Sequence, residues 1–406
     1  MRSRVVLVAY HVGRLGGSEA AASAHWLDFW LARGHRVTLI CHRCDDRIED
    51  PRVGIVRIQL PGWASTLGER LQFYLWTRLA NEWLSRASFS DEVLCVHHAS
   101  WGSSTAPVVG SKGHWPVIWG PLGGGQVAPI SQFYWYRRGL VRELARSARV
   151  ALHMVLARLR LRSVIADVAL ATNLETYSLA TFLRARRVQY MIDSAIPSKW
   201  LILPTEPVLT RERFRILWVG RLEPHKAPEL AIEAFRLAVD ALPGAHLVFI
   251  GEGSEKRYLQ DRVNKLGLSE RVAFLGQRPR DQVRDEMLRA DALLFTSMRD
   301  SFGPVLLEAM GAGLPVVALA HQGVAMLPSD VVVRVPLEPS AKKQKLALAN
   351  ALLRCLTDQG LRRQVAAEAE RFARENGTWD SRHAEMEQVV RFIEAKKSTS
   401  PVCVQR

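Results

Sequence analysis

Residues 292–319 read ALLFTSMRDSFGPVLLEAMGAGLPVVAL, and they carry the clearest signal for the fold. An apolar run, a polar loop, a helical segment and a second apolar run predict a strand, a helix and the next strand of a parallel sheet. Asp300 lies in the loop before the predicted helix, and Glu308 lies about one and a half turns inside it. The loop amides of residues 301–303 would present hydrogen-bond donors at the positive end of this helix. An anion can therefore bind there, with a carboxylate on each side to grip hydroxyl groups.

The same alternation of apolar runs and helical stretches extends over the rest of the chain. The run Val5–Tyr10 predicts a buried first strand rather than a signal peptide, because it is short and a glycine-rich loop follows it. The pattern lapses around residues 197–211 and then restarts. We therefore expect an α/β fold with two doubly wound Rossmann-like domains that face a cleft. The expected domains are residues 1–200, residues 201–376, and a C-terminal helix and tail over 377–406 that packs back on the N-terminal domain.

The composition is that of a folded, basic protein. Of 406 residues, 48% are hydrophobic and 23% are charged, which argues against a disordered chain. Every long apolar stretch is interrupted, so a membrane-spanning helix is not expected. The net charge of +15 favours polyanions, namely nucleic acid, anionic lipid or phosphorylated substrates. Five scattered cysteines indicate a reducing compartment, and the lone CxxC at Cys41 and Cys44 does not amount to a zinc site.

Two glycine turns after predicted strands add further chemistry to the second half. Residues 217–226 read LWVGRLEPHK, so Arg221 and Lys226 follow a strand at the mouth of the sheet. Cations beside a helix N-terminus can hold a diphosphate, although ordinary loop charges explain the pair equally well. Another strand ends in the turn Gly251-Glu252-Gly253.

In this order and spacing, the three stretches resemble glycosyltransferase family four, the retaining nucleotide-sugar transferases with the GT-B fold. Asp300-x7-Glu308 resembles the family's E-x7-E signature, and Gly220-Arg221 through Lys226 resembles its G-R-x4-K element. The resemblance covers the whole second domain, and the first domain fits in outline.

The resemblance implies a role for each matching residue. Arg221 and Lys226 would neutralise the donor diphosphate, and Asp300 would lie beside the donor sugar. Glu308 would bind the ribose hydroxyls. The other donor-binding positions that the resemblance implies in this half are Gly220, Gly251, Glu252, Gly253, Ser301, Phe302 and Gly303.

Three positions depart from the family pattern. The family usually has Glu where this chain has Asp300, and the shorter side chain would alter sugar preference or rate. Ala227 stands where the family often has glycine. The triplet His321-Gln322-Gly323 stands in a loop that more often reads Gly-Gly, so His321 is either a ligand contact or an ordinary loop residue.

The first half carries weaker signals. Its glycine loop is not GxGxxG, and the second predicted strand does not end in an acidic residue, which argues against a dinucleotide site. By the resemblance, Gly16 and Gly17 would reach toward the donor phosphate and the acceptor. His98 is preferred over His97 as a catalytic histidine near the donor sugar, and a packed strand-end histidine is the alternative. An acceptor or cleft loop is expected at Gly123, Gly124 and Gly125.

A basic segment spans Trp135–Arg162, with eight arginines and a single acid, Glu143. Trp135 and Tyr136 lie at its start, as interfacial aromatics do. Its periodicity predicts a helix that lies on an anionic membrane, and a helix packed on its own domain is the equal alternative. The arginine face comprises Arg138, Arg142, Arg146, Arg149 and Arg160, and the apolar face comprises Val141, Leu144, Ala148, Leu152, Val155 and Leu159.

The function implied by the resemblance is retaining, metal-independent transfer of a hexose from a UDP- or GDP-linked donor. The acceptor would be a glycan or a lipid-linked glycan in surface polysaccharide assembly. No cofactor, metal or nucleic-acid partner is expected, and the expected location is cytoplasmic, at the inner face of the membrane. The alternatives are another GT-B enzyme, such as a nucleotide-sugar epimerase, and a non-catalytic polyanion-binding protein.

Overall fold

The structure is a computed structural model that describes residues 3–14, 18–100, 102, 107–111, 113–159, 164, 166–201 and 214–399. The described residues form two compact units. The first comprises residues from 1–125, 150–194 and 382–406, and the second comprises residues from 126–149 and 195–381. Within the described residues, no helix combines the length and the hydrophobicity that crossing a bilayer requires.

The strands follow the predicted order closely, because each is a short apolar run bounded by loop residues. The strands of the first unit are β1 (Arg4–Val8), β2 (His11–Val12), β3 (Arg36–Cys41), β4 (Arg43–Cys44), β5 (Val53–Arg57), β6 (Val93–His98), β7 (Val117–Leu122), β8 (Val168–Ala171) and β9 (Arg187–Tyr190). Those of the second unit are β10 (Arg215–Val219), β11 (His246–Ile250), β12 (Val272–Phe274), β13 (Ala292–Phe295), β14 (Val316–Leu319) and β15 (Val333–Val335).

Helices separate most of these strands, as right-handed crossovers of a parallel sheet require. They are α1 (Ser18–Ala32), α2 (Glu69–Arg86), α3 (Phe133–Tyr136), α4 (Leu140–Arg158), α5 (Leu174–Phe182), α6 (Pro228–Ala238), α7 (Lys256–Lys265), α8 (Arg280–Leu288), α9 (Pro304–Gly311), α10 (Gln322–Ala325), α11 (Ala341–Thr357), α12 (Gln359–Asn376) and α13 (Trp379–Thr399). Single 3-10 turns lie at Gly62–Thr66, Ile130–Gln132, Arg137–Gly139, Ser198–Trp200, Pro224–Lys226 and Val239–Ala241.

The first unit is built on a parallel sheet in the order β5-β3-β1-β6-β7-β8-β9 among its described strands. Strand β1 lies between β3 and β6, with Val8 in register with Ile40 and with His98. Because both faces of the sheet are covered, β1 is buried from Val5 to Val8, which explains its continuous apolar run.

The second unit has a parallel sheet in the order β12-β11-β10-β13-β14-β15 among its described strands. This is the Rossmann order 3-2-1-4-5-6, in which the chain reverses direction across the sheet between β10 and β13. The prediction of two doubly wound Rossmann-like domains is confirmed at the level of each unit.

The unit boundaries differ from those expected at residues 200 and 376. Residues 126–149, which the sequence placed in the N-terminal domain, belong to the second unit. The physical reason is burial, since Trp135 and Tyr136 lie in the hydrophobic core of that unit, each 4% exposed. The interpretation of these two aromatics as membrane-interface residues is therefore wrong.

Helix α13 belongs to the first unit from Arg382 onward. Lys397 Nζ donates to Glu92 Oε1 at 2.8 Å, and Lys396 pairs with Asp167. Residues 377–381, which the sequence grouped with the tail, belong to the second unit.

Candidate functional site

The candidate site of the second unit lies at the carboxyl ends of β10 and β13. These strands are neighbours at the point where the strand order reverses, so the loops that follow them leave toward opposite sides and open a crevice. The loop after β10 carries Arg221 and Lys226, and the loop after β13 carries Asp300. The structure thus brings together the three second-half residues that the sequence predicted to be catalytic.

Lys226 and Asp300 form an ion pair across this crevice, and each side chain is about one fifth exposed, at 18% and 19%. Thr296 fixes the Lys226 backbone, because its hydroxyl donates to the Lys226 carbonyl at 2.9 Å. The same hydroxyl accepts the indole N–H of Trp218, also at 2.9 Å. The lysine is therefore presented by a braced turn, and its ammonium group remains accessible to a ligand. Arg221 is exposed at the rim.

The Asp300 loop leads directly into α9. Gly303 has φ +91, and a Cβ there would lie 2.9 Å from the Phe295 ring, so a side chain cannot be accommodated. Phe302 is 2% exposed, so its backbone rather than its side chain is the part that can face a ligand, which is compatible with the predicted role of the loop amides. Ser301 is partly buried.

Glu308 lies on α9 with a side chain 12% exposed. Arg280 Nη2 donates to its Oε1 at 2.7 Å, and the Arg280 guanidinium lies 5.1 Å from the centroid of the Trp200 ring. The carboxylate that the resemblance assigns to the ribose is thus oriented before any ligand arrives. Arg280 and Trp200 carry no motif, and the sequence reasoning missed them.

The predicted donor-binding turn Gly251-Glu252-Gly253 packs tightly against the turn after β10. A Cβ on Gly251 would lie 1.9 Å from the Gly220 carbonyl oxygen, and one on Gly253 would lie 2.4 Å from that of Leu222. Glycine is required at both positions for this close approach. Glu252 is about half exposed and pairs with Lys256 at 2.6 Å.

A cluster of cations surrounds His225 in the same crevice. Burial, together with the charges of Arg299, Lys226, Arg221 and Arg146, lowers the pKa of His225 to about 2. The imidazole is neutral, and the local field is positive, which favours a polyphosphate ligand. Arg299 is itself paired with Glu143, whose Oε1 accepts from Arg299 Nε at 2.7 Å.

The two predicted strand-end histidines of the first unit are both buried. His97 is bonded at both ring nitrogens: the Trp30 indole donates to Nδ1 at 3.1 Å, and Nε2 donates to the Gly120 carbonyl at 2.9 Å. His98 Nδ1 accepts the Val109 amide at 3.1 Å. Burial lowers the pKa of His97 to about 4 and that of His98 to about 3. Since β6 adjoins β1 at the order reversal of this sheet, His98 lies at the expected edge, and His97 is a satisfied core residue.

The glycine loop that was expected to contact the acceptor packs on protein. The Gly123 amide donates to the Gly102 carbonyl at 2.5 Å, and the Gly124 carbonyl accepts the Thr176 hydroxyl. A Cβ on Gly125 would lie 3.1 Å from the Glu175 carbonyl oxygen. Internal packing therefore accounts for these glycines. Gly16 and Gly17 lie outside the described residues.

The predicted arginine face of the basic segment 135–162 is divided between protein and solvent, and Arg138 lies in the 3-10 turn before α4. Arg138 Nε donates to Glu255 Oε1 at 3.0 Å, and Arg146 Nη1 donates to the Gln126 carbonyl at 2.6 Å. Arg142 is exposed and Arg149 is partly buried, whereas Arg160 lies outside the described residues. The prediction that these arginines form one face toward lipid is therefore wrong for Arg138 and Arg146, because both side chains donate to groups of the second unit.

The apolar face of α4 does not pack on the protein. Val141 is 81% exposed, and the other large side chains of this face are at least half exposed. Such a contiguous apolar face at helical spacing is uncommon on the surface of a soluble domain. The exposed members are Val141, Leu144, Leu152, Val155 and, just after the helix, Leu159.

Residues 205–372 match the sequence profile of the family described as glycosyl transferases group 1. The matched region contains the paired Lys226 and Asp300 and the Glu308 carboxylate. Over these residues the chain is similar to the group 1 glycosyltransferases. The resemblance drawn from the motifs is confirmed.

Two curated relatives share this group 1 region. An uncharacterized glycosyltransferase of Methanocaldococcus jannaschii is 32% identical over 166 residues, which cover 41% of this chain and 42% of that protein. A D-inositol 3-phosphate glycosyltransferase of Mycobacteroides abscessus is 35% identical over 120 residues, which cover 28% of this chain and 26% of that protein. The chain thus spans less than half the length of these relatives.

The fold comparison extends beyond the group 1 region. The structure of WaaG, a glycosyltransferase involved in lipopolysaccharide biosynthesis, matches with a TM-score of 0.64 and 18% identity, covering 96% of this chain and 99% of WaaG. At this identity the match shows the fold alone. It confirms the GT-B class that the motifs of the group 1 region predicted.

Among the described residues, no group of three His, Cys, Asp or Glu side chains could hold a metal ion. In the described part of the second unit, the groups that can bind an anionic ligand include Arg221, Lys226 and the backbone amides of the loop before α9. Besides Arg280 and Trp200, the sequence reasoning missed the contact of Gln322 with the Asp300 loop, in which the Gln322 Oε1 accepts the Asp300 amide at 2.9 Å.

Proposed function

We propose that this protein is a glycosyltransferase whose second unit binds a nucleotide diphosphate sugar. The Lys226–Asp300 pair at the reversal point of the sheet carries the proposal. It places a cation for phosphate next to a carboxylate for sugar hydroxyls. Arg221 and the amide end of α9 add positive potential to the same crevice.

The chemistry follows from where charge develops. As the bond from the anomeric carbon to the diphosphate breaks, negative charge grows on the β-phosphate. Lys226 and Arg221 stabilise it from a turn whose backbone is braced before the ligand arrives. Asp300 exchanges its lysine partner for sugar hydroxyls, and Glu308 accepts those of the ribose. Retention of configuration without a divalent metal is part of the proposal, with the departing phosphate accepting the acceptor's proton.

The donor of the proposal is a UDP- or GDP-linked hexose, and the acceptor is a glycan or a lipid-linked glycan. The GT-B likeness to WaaG, a protein of lipopolysaccharide biosynthesis, supports a role in surface polysaccharide assembly. A location at the inner face of the cytoplasmic membrane belongs to the same proposal, because nucleotide sugars are made in the cytosol.

The exposed apolar face of α4 supports peripheral attachment to an anionic membrane. Helix α4 presents leucine and valine outward, and Arg142 and Arg158 are exposed on the same helix. This combination is typical of helices that lie in a lipid interface. Each basic residue near an anionic surface contributes about 1 kcal/mol of attraction.

Vesicle co-sedimentation tests the attachment. The triple variant Leu144→Ser, Leu152→Ser, Val155→Ser should bind anionic vesicles about tenfold or more weakly, because it removes apolar area that would enter the lipid interface. The matched control changes three exposed leucines on other helices, Leu237, Leu288 and Leu346, to serine. Equal binding by both triple variants would remove α4 as the membrane surface.

A nucleotide-sugar panel tests the enzymatic proposal. Release of UDP or GDP is measured with each donor, with and without a chelator, and nucleotide affinity is measured by calorimetry. Glu308→Ala should weaken nucleotide binding roughly tenfold or more, since it removes charge-assisted contacts to the ribose. Glu368→Ala, which removes a partly buried carboxylate paired with Arg371, is the matched control. Wild-type protein that binds no nucleotide would contradict the proposal.

A further inference from the structure

Gln322 adopts a backbone conformation that disfavours its own residue type. Its φ is +51, in the left-handed region that glycine enters without cost. Among the described residues, Arg184 and Ala227 are the other non-glycine positions with positive φ. The Gln322 side chain is nonetheless retained and buried, with the residue 8% exposed. A strained, buried polar residue next to a candidate site indicates that its side chain has a function there.

Both ends of the Gln322 amide are bonded. Oε1 accepts the backbone N–H of Asp300 at 2.9 Å, and Nε2 donates to the Val127 carbonyl at 3.0 Å. A side-chain amide can accept at its oxygen and donate at its nitrogen at the same time. The side chain therefore connects the Asp300 loop to residues 126–149, which pack on the same unit.

Neighbouring contacts hold the same loop from both sides. A Cβ on Gly323 would lie 2.6 Å from the Ser301 carbonyl oxygen, so α10 begins in direct contact with the loop. The His321 imidazole lies 2.8 Å from the Ser297 carbonyl oxygen. From residues 126–149, the buried Glu143 accepts from Arg299, the residue before Asp300.

We propose that Gln322 is a positioning residue that holds the Asp300 carboxylate in its place against Lys226. It does so by fixing the Asp300 amide and anchoring it to the Val127 carbonyl. This inference rests on the proposed function, because the placement serves Asp300 as the group beside the donor sugar. Residues 126–149 are thereby a structural part of the donor site. The family more often has glycine here, which cannot make either bond.

Steady-state kinetics with the best donor of the panel tests the inference. Gln322→Gly relieves the backbone strain but removes both hydrogen bonds, so kcat should fall about tenfold while the melting temperature is unchanged or higher. The KM for the donor should change less than about threefold, because the nucleotide contacts of Glu308 remain. Gln322→Glu keeps the hydrogen-bond acceptor and loses the donor. Its kcat should lie between that of the wild type and that of Gln322→Gly.

Arg184→Gly is the matched control, since it relieves a positive φ on the surface of the first unit, far from this loop in the sequence. Its kcat should equal that of the wild type. Wild-type kcat in Gln322→Gly, or equal losses in Gln322→Gly and Arg184→Gly, would overturn the inference.

Amide hydrogen exchange separates this inference from the proposed function. The Asp300 amide should exchange slowly in the wild type and at least about tenfold faster in Gln322→Gly. If the wild type turns over no nucleotide sugar, the proposed function fails, and unchanged Asp300 exchange in Gln322→Gly independently overturns the positioning role.

Discussion

The ammonium group of Lys226 pairs with the carboxylate of Asp300, although the two residues lie 74 positions apart in the chain. They meet because β10 and β13 are adjacent in the sheet while their crossover helices leave in opposite directions. The pair occupies the crevice that this reversal creates. On the proposed function, a bound donor would break this ion pair. Lys226 would then be free for the phosphate and Asp300 for the sugar, at the same place.

Lys226→Ala should lower kcat for donor turnover by about two orders of magnitude, because it removes a fixed cation from the point where leaving-group charge develops. Initial rates of UDP or GDP release measure the effect. The control is Arg236→Ala, which breaks a surface ion pair between α6 and Asp240 in the turn that follows it. Comparable rates in both variants would show that Lys226 is an ordinary loop charge.

Asp300→Glu and Asp300→Asn should behave differently. The longer carboxylate restores the residue that the family usually has, so activity should persist, with a change in the preferred sugar. The amide removes the charge that pairs with Lys226, and turnover should fall roughly tenfold or more. A donor panel run on all three proteins distinguishes the outcomes. If Asp300→Asn matched the wild type on every donor, Asp300 would be only a loop residue before α9.

Gly251→Ala should destabilise the second unit by about 3 kcal/mol, because the new methyl group would overlap the Gly220 carbonyl oxygen. Chemical denaturation measures the loss, and nucleotide affinity should fall with it. Gly267→Ala is the control: φ is +67 there, but nothing lies within 4 Å of the added carbon, so about 1 kcal/mol of backbone strain is expected. Equal losses would mean that the two turns do not need this close approach.

The buried histidines of β6 should make stability depend on pH. Burial lowers the pKa of His97 to about 4 and that of His98 to about 3, below the value of about 6.5 in an unfolded chain. The unfolded state therefore binds more protons below pH 6.5, so stability is complete above that pH and is lost as the pH falls toward 4. Each histidine contributes a slope of about 1.4 kcal/mol per pH unit in this window.

Urea denaturation between pH 4.5 and 7.5 measures this slope. His98→Asn should reduce the slope of the unfolding free energy against pH by about 1.4 kcal/mol per pH unit, which corresponds to one proton, whatever its effect on stability at pH 7.5. His97→Asn should do the same and should also cost more stability at neutral pH, because His97 is bonded at both ring nitrogens. Slopes equal to that of the wild type would show that these histidines are protonated in the folded protein.

Most strand positions and the family were predictable from the sequence. Apolar runs such as Ala292–Phe295 need only their own composition to indicate a buried strand. The glycines of the turns after β10 and β11 are required by close contacts between these two turns, and their spacing is a recognisable pattern. The basic segment was less predictable, because its helical periodicity is the same whether the arginines face lipid or a group of the protein, as Arg138 faces Glu255.

Local sequence therefore determined the alternation of strands and helices, the glycine turns and the motif residues, because these depend on backbone sterics and on side-chain periodicity over a few residues. Tertiary structure alone decided which distant groups meet. It paired Lys226 with Asp300, assigned residues 126–149 to the second unit through the burial of Trp135 and Tyr136, and left the apolar face of α4 exposed. It also gave Gln322 its two partners. Such choices depend on the competition for buried space among segments far apart in the chain, which no short pattern encodes.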